Sequence, residues 1–377
     1  MKKTLAAVAV LGAFAGSALA ADVTVYGRID TGLQLHNWED TATLDGRSVS
    51  VDGTDWSMES GSLTGSRVGI KGSEQISEDL TVGFVLEKGF KGDTGTAAGG
   101  FDRESVLYVK SDFGTVYAGR INSMWSDGGS TNFWAGNYVA LGTGNGVALG
   151  TGLMVGNSRA DNRVSYVSPE FAGFKVYAEY SFGANDDENT SKTDRPAALG
   201  VNYNNGAFGA GMVVTYKNET SSDGVEAWDP EDEYTINIGT KYDFGVALVK
   251  VGAQYYKNAD KVGAFSSTFD PDSDFTFDEL EGYAVTVGAD IPAWGGTWTM
   301  GVGYADGEDK GAPAGASLEY KGYDVAAYYQ YPLSKRTKVY AGVGYEKLEV
   351  EAGVTGVVSG KLEHEDVKAM MGMAHYF

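Results

Sequence analysis

The sequence contains no cysteine, little proline and few histidines, and these shortages exclude several kinds of chemistry. Its 377 residues include 0 Cys, 7 Pro and 3 His. The absence of cysteine excludes a disulfide framework, a thiolate zinc site and a cysteine nucleophile. His36 ends the first predicted strand, His364 lies in an acidic loop, and His375 lies on the apolar face of the last strand. We therefore expect no enzyme site in which they share a nucleophile.

Long apolar runs are also missing after residue 20. No later segment holds about 18 consecutive apolar residues, so the sequence predicts no transmembrane helix there. The mean hydropathy of −0.22 would fit a soluble protein. It fits a transmembrane β-barrel equally well, because half of each strand then faces water. Hydropathy leaves both alternatives open, and the periodicity of the strands has to separate them.

Residues 1–20 have the three parts of an export signal. Lys2 and Lys3 form a basic start, an apolar stretch follows, and Ala18 and Ala20 fit the small-residue cleavage pattern. The apolar stretch is too short to span a bilayer. We predict that residues 1–20 are removed and that residues 21–377 form the mature barrel.

Glycine, tyrosine and acidic charge are abundant. The chain has 54 Gly, 23 Tyr, 16 Phe and 7 Trp, and its glycine share is about twice the usual ~7%. This composition, with little proline, is typical of many strands joined by tight turns. The formal net charge of −22 argues against a nucleic-acid partner, which would require a basic face.

Apolar and polar residues alternate at both ends of the mature chain. Val25 and Ile29 share one face of the first predicted strand, while Arg28 and Asp30 share the other; residues 371–377 repeat the alternation. Period two with one apolar face predicts a half-buried strand. An unpaired strand edge is costly in lipid. A chain with an export signal and such a last strand therefore indicates an outer-membrane barrel, closed by pairing of its last and first strands.

Short and long connections alternate between the predicted strands. Seven short turns lie at 77–79, 111–114, 169–173, 204–206, 243–245, 292–296 and 333–336. Eight longer loops lie near 36–62, 91–101, 122–160, 183–195, 218–231, 258–280, 307–321 and 349–365. These connections predict an all-β fold, a 16-stranded antiparallel transmembrane β-barrel with short periplasmic turns and long extracellular loops.

Acidic residues are concentrated in the long loops. Loop 218–231 has no lysine or arginine, and Asp270, Asp272 and Asp274 follow in the next loop. Solubilising charge is one interpretation. The alternative is Ca²⁺ or Mg²⁺ bridging to anionic lipopolysaccharide, although the Gly and Glu that complete an EF-hand are missing. We expect no other metal and no cofactor.

The third loop differs from the others. It spans about residues 122–160, and its only acid is Asp127. It repeats one six-residue sequence at 139–144 and 147–152, and it carries several aromatic residues. A phosphate-binding loop is excluded because the Lys-Ser/Thr after the glycines is missing. The apolar content predicts that this loop folds inward and packs inside the barrel.

Five motifs occur in an order that is typical of one family. They lie at residues 23–27, 66–74, 113–120, 164–169 and 333–337, and a terminal aromatic follows. With them the mature chain resembles the general porins of Gram-negative bacteria. The resemblance implies a homotrimeric diffusion channel for ions and small hydrophilic solutes, narrowed by its third loop. It also implies contact with lipopolysaccharide and other outer-membrane lipid, and with the barrel assembly machinery, which would recognise Phe377 as an assembly signal.

The resemblance further implies wall arginines that face acids on the third loop. The matching residues are Arg28, Arg67, Arg103, Arg120 and Arg159, with Asp127 as the loop acid. Alternation alone places Arg28 and Arg67 on the polar face, and a lipid-facing Arg costs about 2–4 kcal/mol at mid-depth. Alternation does not fix the facing of Arg120. Because further acids are absent from 128–158, we expect weak anion preference or near-neutral selectivity.

Two other functions fit parts of the sequence. A solute-specific channel would have an aromatic or polar path along its pore, and the many Tyr and Trp residues allow this. The same residues are equally explained by the aromatic girdles of a barrel. A structural or adhesive barrel would have a plugged lumen, and charges that face the pore argue against it.

Overall fold

The computed structural model describes residues 22–97, 99–124, 129–133, 153–156, 159–183, 194–218, 231–260, 262, 279–312, 315–354 and 358–377. All regular structure in these residues is β-strand. The strands are β1 Thr24–Leu44, β2 Arg47–Ser60, β3 Arg67–Ser77, β4 Leu80–Gly89, β5 Glu104–Ser111, β6 Gly114–Asn122, β7 Arg159–Val167, β8 Phe174–Ser181, β9 Ala197–Asn205, β10 Phe208–Lys217, β11 Glu233–Asp243, β12 Leu248–Ala259, β13 Leu280–Ala293, β14 Gly296–Asp309, β15 Ala316–Pro332, β16 Thr337–Val354 and β17 Val358–Tyr376. The predicted export signal lies outside the described residues.

The strands form one closed antiparallel sheet. Each strand from β3 to β17 pairs with the next, and β17 returns to pair with β1 from Arg28–Tyr376 to Leu44–Gly360. Both β2 and β3 pair with β1, so together they occupy a single position in the wall. The predicted barrel of sixteen wall strands is therefore confirmed. No helix among the described residues is long and apolar enough to cross a membrane.

The seven predicted short turns are all confirmed as connections at one end of the barrel, which we call the turn end. Their glycines meet a conformational requirement at Gly173 and Gly245, whose φ angles are 86° and 80°. Positive φ is unfavourable for residues with a Cβ atom and costs glycine nothing. The sequence therefore identified these turns through their backbone chemistry.

Three predicted long loops are largely strand, which corrects the sequence interpretation. Residues 36–62, 307–321 and 349–365 belong mainly to the hairpins β1–β2, β14–β15 and β16–β17 at the opposite, loop end. Their charged residues are paired across the strands, as where Lys347 Nζ lies 3.0 Å from Glu365 and 3.1 Å from Glu363. High charge indicated a solvated segment, but it did not distinguish a loop from a solvated hairpin.

The outer face of the wall is apolar and carries two rows of aromatic side chains over β8–β15. One row, towards the loop end, contains Tyr180, Phe182, Tyr216, Tyr234, Tyr255, Tyr283, Tyr304 and Tyr323. The other, towards the turn end, contains Phe174, Tyr203, Phe208, Tyr242, Phe244, Trp294, Trp298 and Tyr329. Two aromatic girdles around an apolar band are the signature of a membrane-spanning barrel.

The inner face combines polar and charged side chains with apolar clusters and is partly covered by the third loop. Phe133 packs edge-on against Tyr177, with ring centroids 4.7 Å apart. Beyond it, Val155 donates its N–H to Gln254 Oε1 at 2.7 Å and accepts from Gln254 Nε2 at 2.6 Å. Both described ends of the loop, 129–133 and 153–156, thus lie against the inside of the wall. Residues 134–152, which hold the two repeats, lie outside the described residues.

Candidate functional site

Two of the predicted arginines meet on one carboxylate at the inner face. Arg67 begins β3, and Arg103 immediately precedes β5. Arg67 Nη1 lies 3.3 Å and Arg103 Nε 2.7 Å from Glu87 Oε1, on β4 between them. The Tyr26 hydroxyl donates to the other oxygen, Glu87 Oε2, at 3.1 Å. One carboxylate therefore serves two guanidinium groups, which leaves a local excess of positive charge.

Two further arginines complete what we call the arginine cluster, Arg28, Arg67, Arg103 and Arg159. Arg28 on β1 lies over the ring of Tyr376, with its Cζ atom 5.7 Å from the centroid. Arg159 opens β7 and donates from Nε to the carbonyl of Arg103 at 3.0 Å. The charges of Arg28, Arg103 and Arg159 all act on Arg67. Among the described residues, no carboxylate forms an ion pair with Arg28 or Arg159.

Arg120 takes no part in the ion pairs on Glu87. It follows Gly119 in an irregular stretch of β6, where the pairing with β7 shifts register before Ile121, and its charge acts on Arg159. Its place in the constriction stays a prediction. Its guanidinium is bound by Asp161 at 2.6 Å and by the carbonyl of Asp102 at 2.7 Å. Arg120 is therefore neutralised near the loop end of β6.

The predicted loop acid, Asp127, lies outside the described residues. Three positions later in the sequence, Ser130 donates to Glu104 through its backbone N–H at 2.8 Å and its hydroxyl at 2.9 Å. Glu104 lies opposite Glu87 in the wall. The third loop is thus held to the same part of the wall that carries the arginine cluster.

Sequence analysis missed a buried ion pair beside the loop. Arg163 Nη1 on β7 lies 3.3 Å from Glu179 Oε1 on β8, and Arg163 is only 1% exposed. The backbone N–H of Met124 also donates to Glu179 Oε1 at 3.4 Å. Alternation along β7, where Arg163 shares a face with Ser165, was the signal that could have placed Arg163 inside.

A row of carboxylates lies on the inner face of β15–β17. Asp324 stands opposite Glu346, and Glu346 stands opposite Asp366. Lys368 forms an ion pair with Asp366, and His36 Nε2 lies 3.0 Å from the same carboxylate. In the part of the chain that the structure describes, no group of three or more such side chains is arranged to hold a metal ion.

The formal charges around the arginine cluster are close to balance. Its four guanidinium groups lie near four carboxylates, which are Glu87, Glu104, the adjacent Asp102, and Asp30 beside Arg28. Four positive and four negative charges leave no formal excess here, although the whole chain carries −22. Charges on the wall of a narrow passage act on passing ions more strongly than distant surface charges do.

Comparisons with known proteins agree with this architecture. A family model described as Gram-negative porin matches residues 6–350. An outer membrane porin protein of Bordetella pertussis is 28% identical over 397 residues, which cover 92% of this chain and 94% of that protein. Outer membrane porin protein 32 of Delftia acidovorans is 28% identical over 359 residues, covering 92% of this chain and 90% of the relative.

Solved structures have the same fold. An anion-selective porin from Comamonas acidovorans superposes with a TM-score of 0.63 at 21% identity, covering 95% of this chain and 100% of that one. The trimer form of OmpT, an outer membrane protein of Vibrio cholerae, gives 0.60 at 18% identity, covering 95% and 100%. The family match spans most of the chain, and the barrel is closed and carries charged side chains on its inner face. The chain therefore belongs to the Gram-negative porins, the outer-membrane channels through which small solutes diffuse passively.

Proposed function

We propose that the arginine cluster and the third loop form the constriction of a general diffusion pore with a weak preference for anions. The observation that carries this proposal is the sharing of Glu87 by Arg67 and Arg103. The related porin of Comamonas acidovorans is described as anion-selective, which agrees with it. The carboxylates of β15–β17 moderate the preference and keep it weak.

We expect that the acidic hairpins β1–β2, β14–β15 and β16–β17 at the loop end do not reverse this preference at physiological salt. Exposed charges are screened over a Debye length of roughly 8–10 Å. Charges within a water-filled constriction with low-dielectric walls are screened less. The pore should therefore respond to its local charge and much less to the net charge of −22.

Removal of residues 139–152, which contain the two repeats, should raise the single-channel conductance and the size of the largest sugar that crosses the channel. The reason is that the flanking residues Phe133 and Val155 contact the inside of the wall, and we expect the segment between them to narrow the lumen. Planar-bilayer recording and liposome swelling with sugars of increasing size measure both quantities.

The matched control shortens a different connection by the same number of residues. Deletion of 263–276, between β12 and β13, should leave conductance close to wild type. A folded 139–152 deletion with unchanged conductance and unchanged sugar cut-off would contradict the proposed constriction.

We propose that the channel is a homotrimer, as in the trimer form of the related Vibrio cholerae protein. The aromatic rows extend over β8–β15. On β17, β1, β4 and the wall position shared by β2 and β3, the described outer face carries exposed residues such as Val25, Ile29, Ile70, Met371 and Met373. Trp56 of β2 is the one Tyr or Trp on the described outer face of this arc. Interfacial aromatics stabilise a wall that meets lipid headgroups, and their scarcity here supports contact between subunits on this arc.

Single-cysteine cross-linking tests the trimer directly, since the chain has no native cysteine. Ile70→Cys, on the arc of β17, β1, β3 and β4, should give cross-linked species with a bis-maleimide. Val251→Cys, exposed on the outer face of β12, should not. Monomers alone from Ile70→Cys, together with monomer-sized migration of unheated protein, would contradict the trimer.

Several further expectations accompany this function. The binding of divalent cations at loops 218–231 and 258–280 stays a prediction, because most of those residues lie outside the described ones. The removal of residues 1–20 also stays a prediction.

The expected lack of enzymatic activity is supported by the histidines, which contact three different partners: His36 pairs with Asp366, His364 with Asp40, and His375 with Thr337.

A further inference from the structure

The second wall position is interrupted by a turn that enters the lumen. Strand β2 pairs with β1 up to Ser60–Thr31, and β3 resumes at Arg67–Arg28. Two residues of β1, Ile29 and Asp30, thus face the six residues Gly61–Ser66, which we call the inner turn. The surplus residues cannot fit in the plane of the wall, so the chain bends out of it.

An apolar contact fixes the direction in which the inner turn bends. Leu63, at its tip, is buried against Tyr328, Tyr340, Met370 and Ala374. These residues lie on the inner face of β15, β16 and β17, across β1 from the turn. The turn therefore lies inside the barrel and covers β1 at the level of Asp30.

Asp30 holds the inner turn through its carboxylate. One oxygen, Oδ2, accepts the backbone N–H groups of Leu63 at 2.8 Å and Thr64 at 2.7 Å. The other, Oδ1, accepts the hydroxyl of Tyr340 at 2.6 Å. Asp30 is 0% exposed, so its carboxylate is enclosed by these donors and has no direct contact with pore water.

The backbone of Asp30 and two serines close the base of the turn. The carbonyl of Asp30 accepts from Gly61 N–H at 3.0 Å, and its N–H donates to Ser66 Oγ at 3.0 Å. Ser60 Oγ and Ser66 Oγ lie 3.1 Å apart. Gly61, with φ of +84°, brings the two arms together. Outside Asp30, the base of the turn also accepts the backbone N–H groups of Phe90 and Gly92, on Ser66 O at 3.1 Å and Ser60 Oγ at 2.7 Å. Asp30 nevertheless supplies hydrogen bonds to both the base and the tip of the turn.

The inner turn also contacts the arginine cluster. The carbonyl of Gly65 accepts from Arg67 Nε at 3.0 Å. A Cβ atom placed on Gly65 would lie 3.6 Å from Arg103 Nη1 and 3.8 Å from Arg67 Nη2. Both guanidinium groups therefore lie against the glycine, and the carbonyl orients the Arg67 group towards Glu87.

We propose that Asp30 is a positioning residue of the channel, because it fixes the inner turn and thereby holds Arg67 in the constriction. The inference rests on the proposed function, in which Arg67 faces passing ions. Asp30 binds the backbone N–H groups of Leu63 and Thr64, and the next residue, Gly65, binds Arg67 through its carbonyl. It sets the ion preference without contacting the ions.

Reversal potentials in a KCl gradient test this role, with trimers of wild type, Asp30→Asn, Arg67→Ala and the double variant. An asparagine in place of Asp30 cannot accept hydrogen bonds on both sides, because its NH₂ group is only a donor. We expect Asp30→Asn to lower the chloride-to-potassium permeability ratio towards that of Arg67→Ala. In the Arg67→Ala background, Asp30→Asn should change the ratio no further.

The direction in which the chloride-to-potassium permeability ratio changes distinguishes a positioning role of Asp30 from a direct effect of its charge on the ions. Loss of one negative charge in the lumen would by itself raise the chloride preference. Asp290→Asn is the matched control, since Asp290 faces the inner side of β13 and pairs with Lys250 at 2.6 Å. It should raise the ratio or leave it unchanged. Tyr340→Phe keeps every formal charge and should lower the permeability ratio by a smaller amount than Asp30→Asn. It replaces Asp30→Asn as the test if that variant does not fold.

Three outcomes would overturn the proposal. The first is a permeability ratio that is unchanged or raised in folded Asp30→Asn, and the second is a shift caused by Asp30→Asn that is as large in the Arg67→Ala background as in wild type. The third applies if Asp30→Asn does not fold, and it is an unchanged ratio in Tyr340→Phe. If Arg67→Ala lowers the ratio and Asp30→Asn does not, only the role of Asp30 is refuted. If Arg67→Ala leaves the ratio unchanged, the proposed constriction is refuted, and this role of Asp30 with it.

Discussion

Arg67→Glu should convert the channel from weak anion preference to cation preference. At about 7 Å in water, one unit charge contributes about 0.6 kcal/mol to the energy of an ion, roughly a threefold effect on its local concentration. Replacement of Arg67 by Glu changes the local charge by two units, which disfavours chloride and favours potassium. After salt screening we expect the chloride-to-potassium permeability ratio to fall by roughly tenfold. Reversal potentials in a KCl gradient measure this ratio.

Arg47→Glu is the matched control for this substitution. Arg47 begins β2 at the exposed tip of the β1–β2 hairpin, so the same change in charge is made outside the constriction. We expect a small effect at low salt and none at high salt, because screening removes it. Similar shifts from Arg47→Glu and Arg67→Glu would mean that the cluster has no special influence on the ions.

Deletion of Phe377 should strongly reduce the amount of protein in the outer membrane. Phe377 and Gly27 exchange two backbone hydrogen bonds of 3.1 Å. A Cβ atom on Gly27 would lie 2.5 Å from Phe377 Cζ, so the ring lies directly over the glycine. The residue thus covers the seam where the last strand closes on the first, and the family resemblance makes it the signal for assembly.

Phe377→Tyr is the control, because it keeps the aromatic ring and the backbone bonds. We expect near wild-type levels for Phe377→Tyr and large losses for the deletion, measured in outer-membrane fractions. Channels recovered from the deletion variant should conduct normally, since Phe377 lies at the rim. Undiminished membrane levels of the truncated protein would count against this role.

The wall was predictable from the sequence because its signals are local. Val25 and Ile29 lie on the exposed outer face, and Asp30 is buried on the inner face, as period two requires. Turn chemistry located every short connection, because residues such as Gly173 and Gly245 adopt positive φ. Closure followed from the cost of an unpaired edge, and β17 does pair with β1.

The inner details were less predictable because they depend on irregularities and distant contacts. The facing of Arg120 depends on a shift of register near Gly119 and Ile121, which alternation cannot anticipate. The sequence at 61–66 has the composition of any loop, and only the contact of Leu63 with β15–β17 turns it inward. Arg67 and Arg103 are 36 positions apart and meet on Glu87 only once the sheet has formed.

The reversal potential of the wild-type channel as KCl concentration rises tests the central claim most directly. At low salt the acidic hairpins at the loop end should enrich cations and partly hide the preference of the arginine cluster. As salt rises above about 0.15 M, the Debye length falls below roughly 8 Å and the charges of these hairpins are screened. We predict a reversal potential that shows weak chloride preference or near neutrality at high salt. Strong potassium preference that persists at high salt would contradict the account.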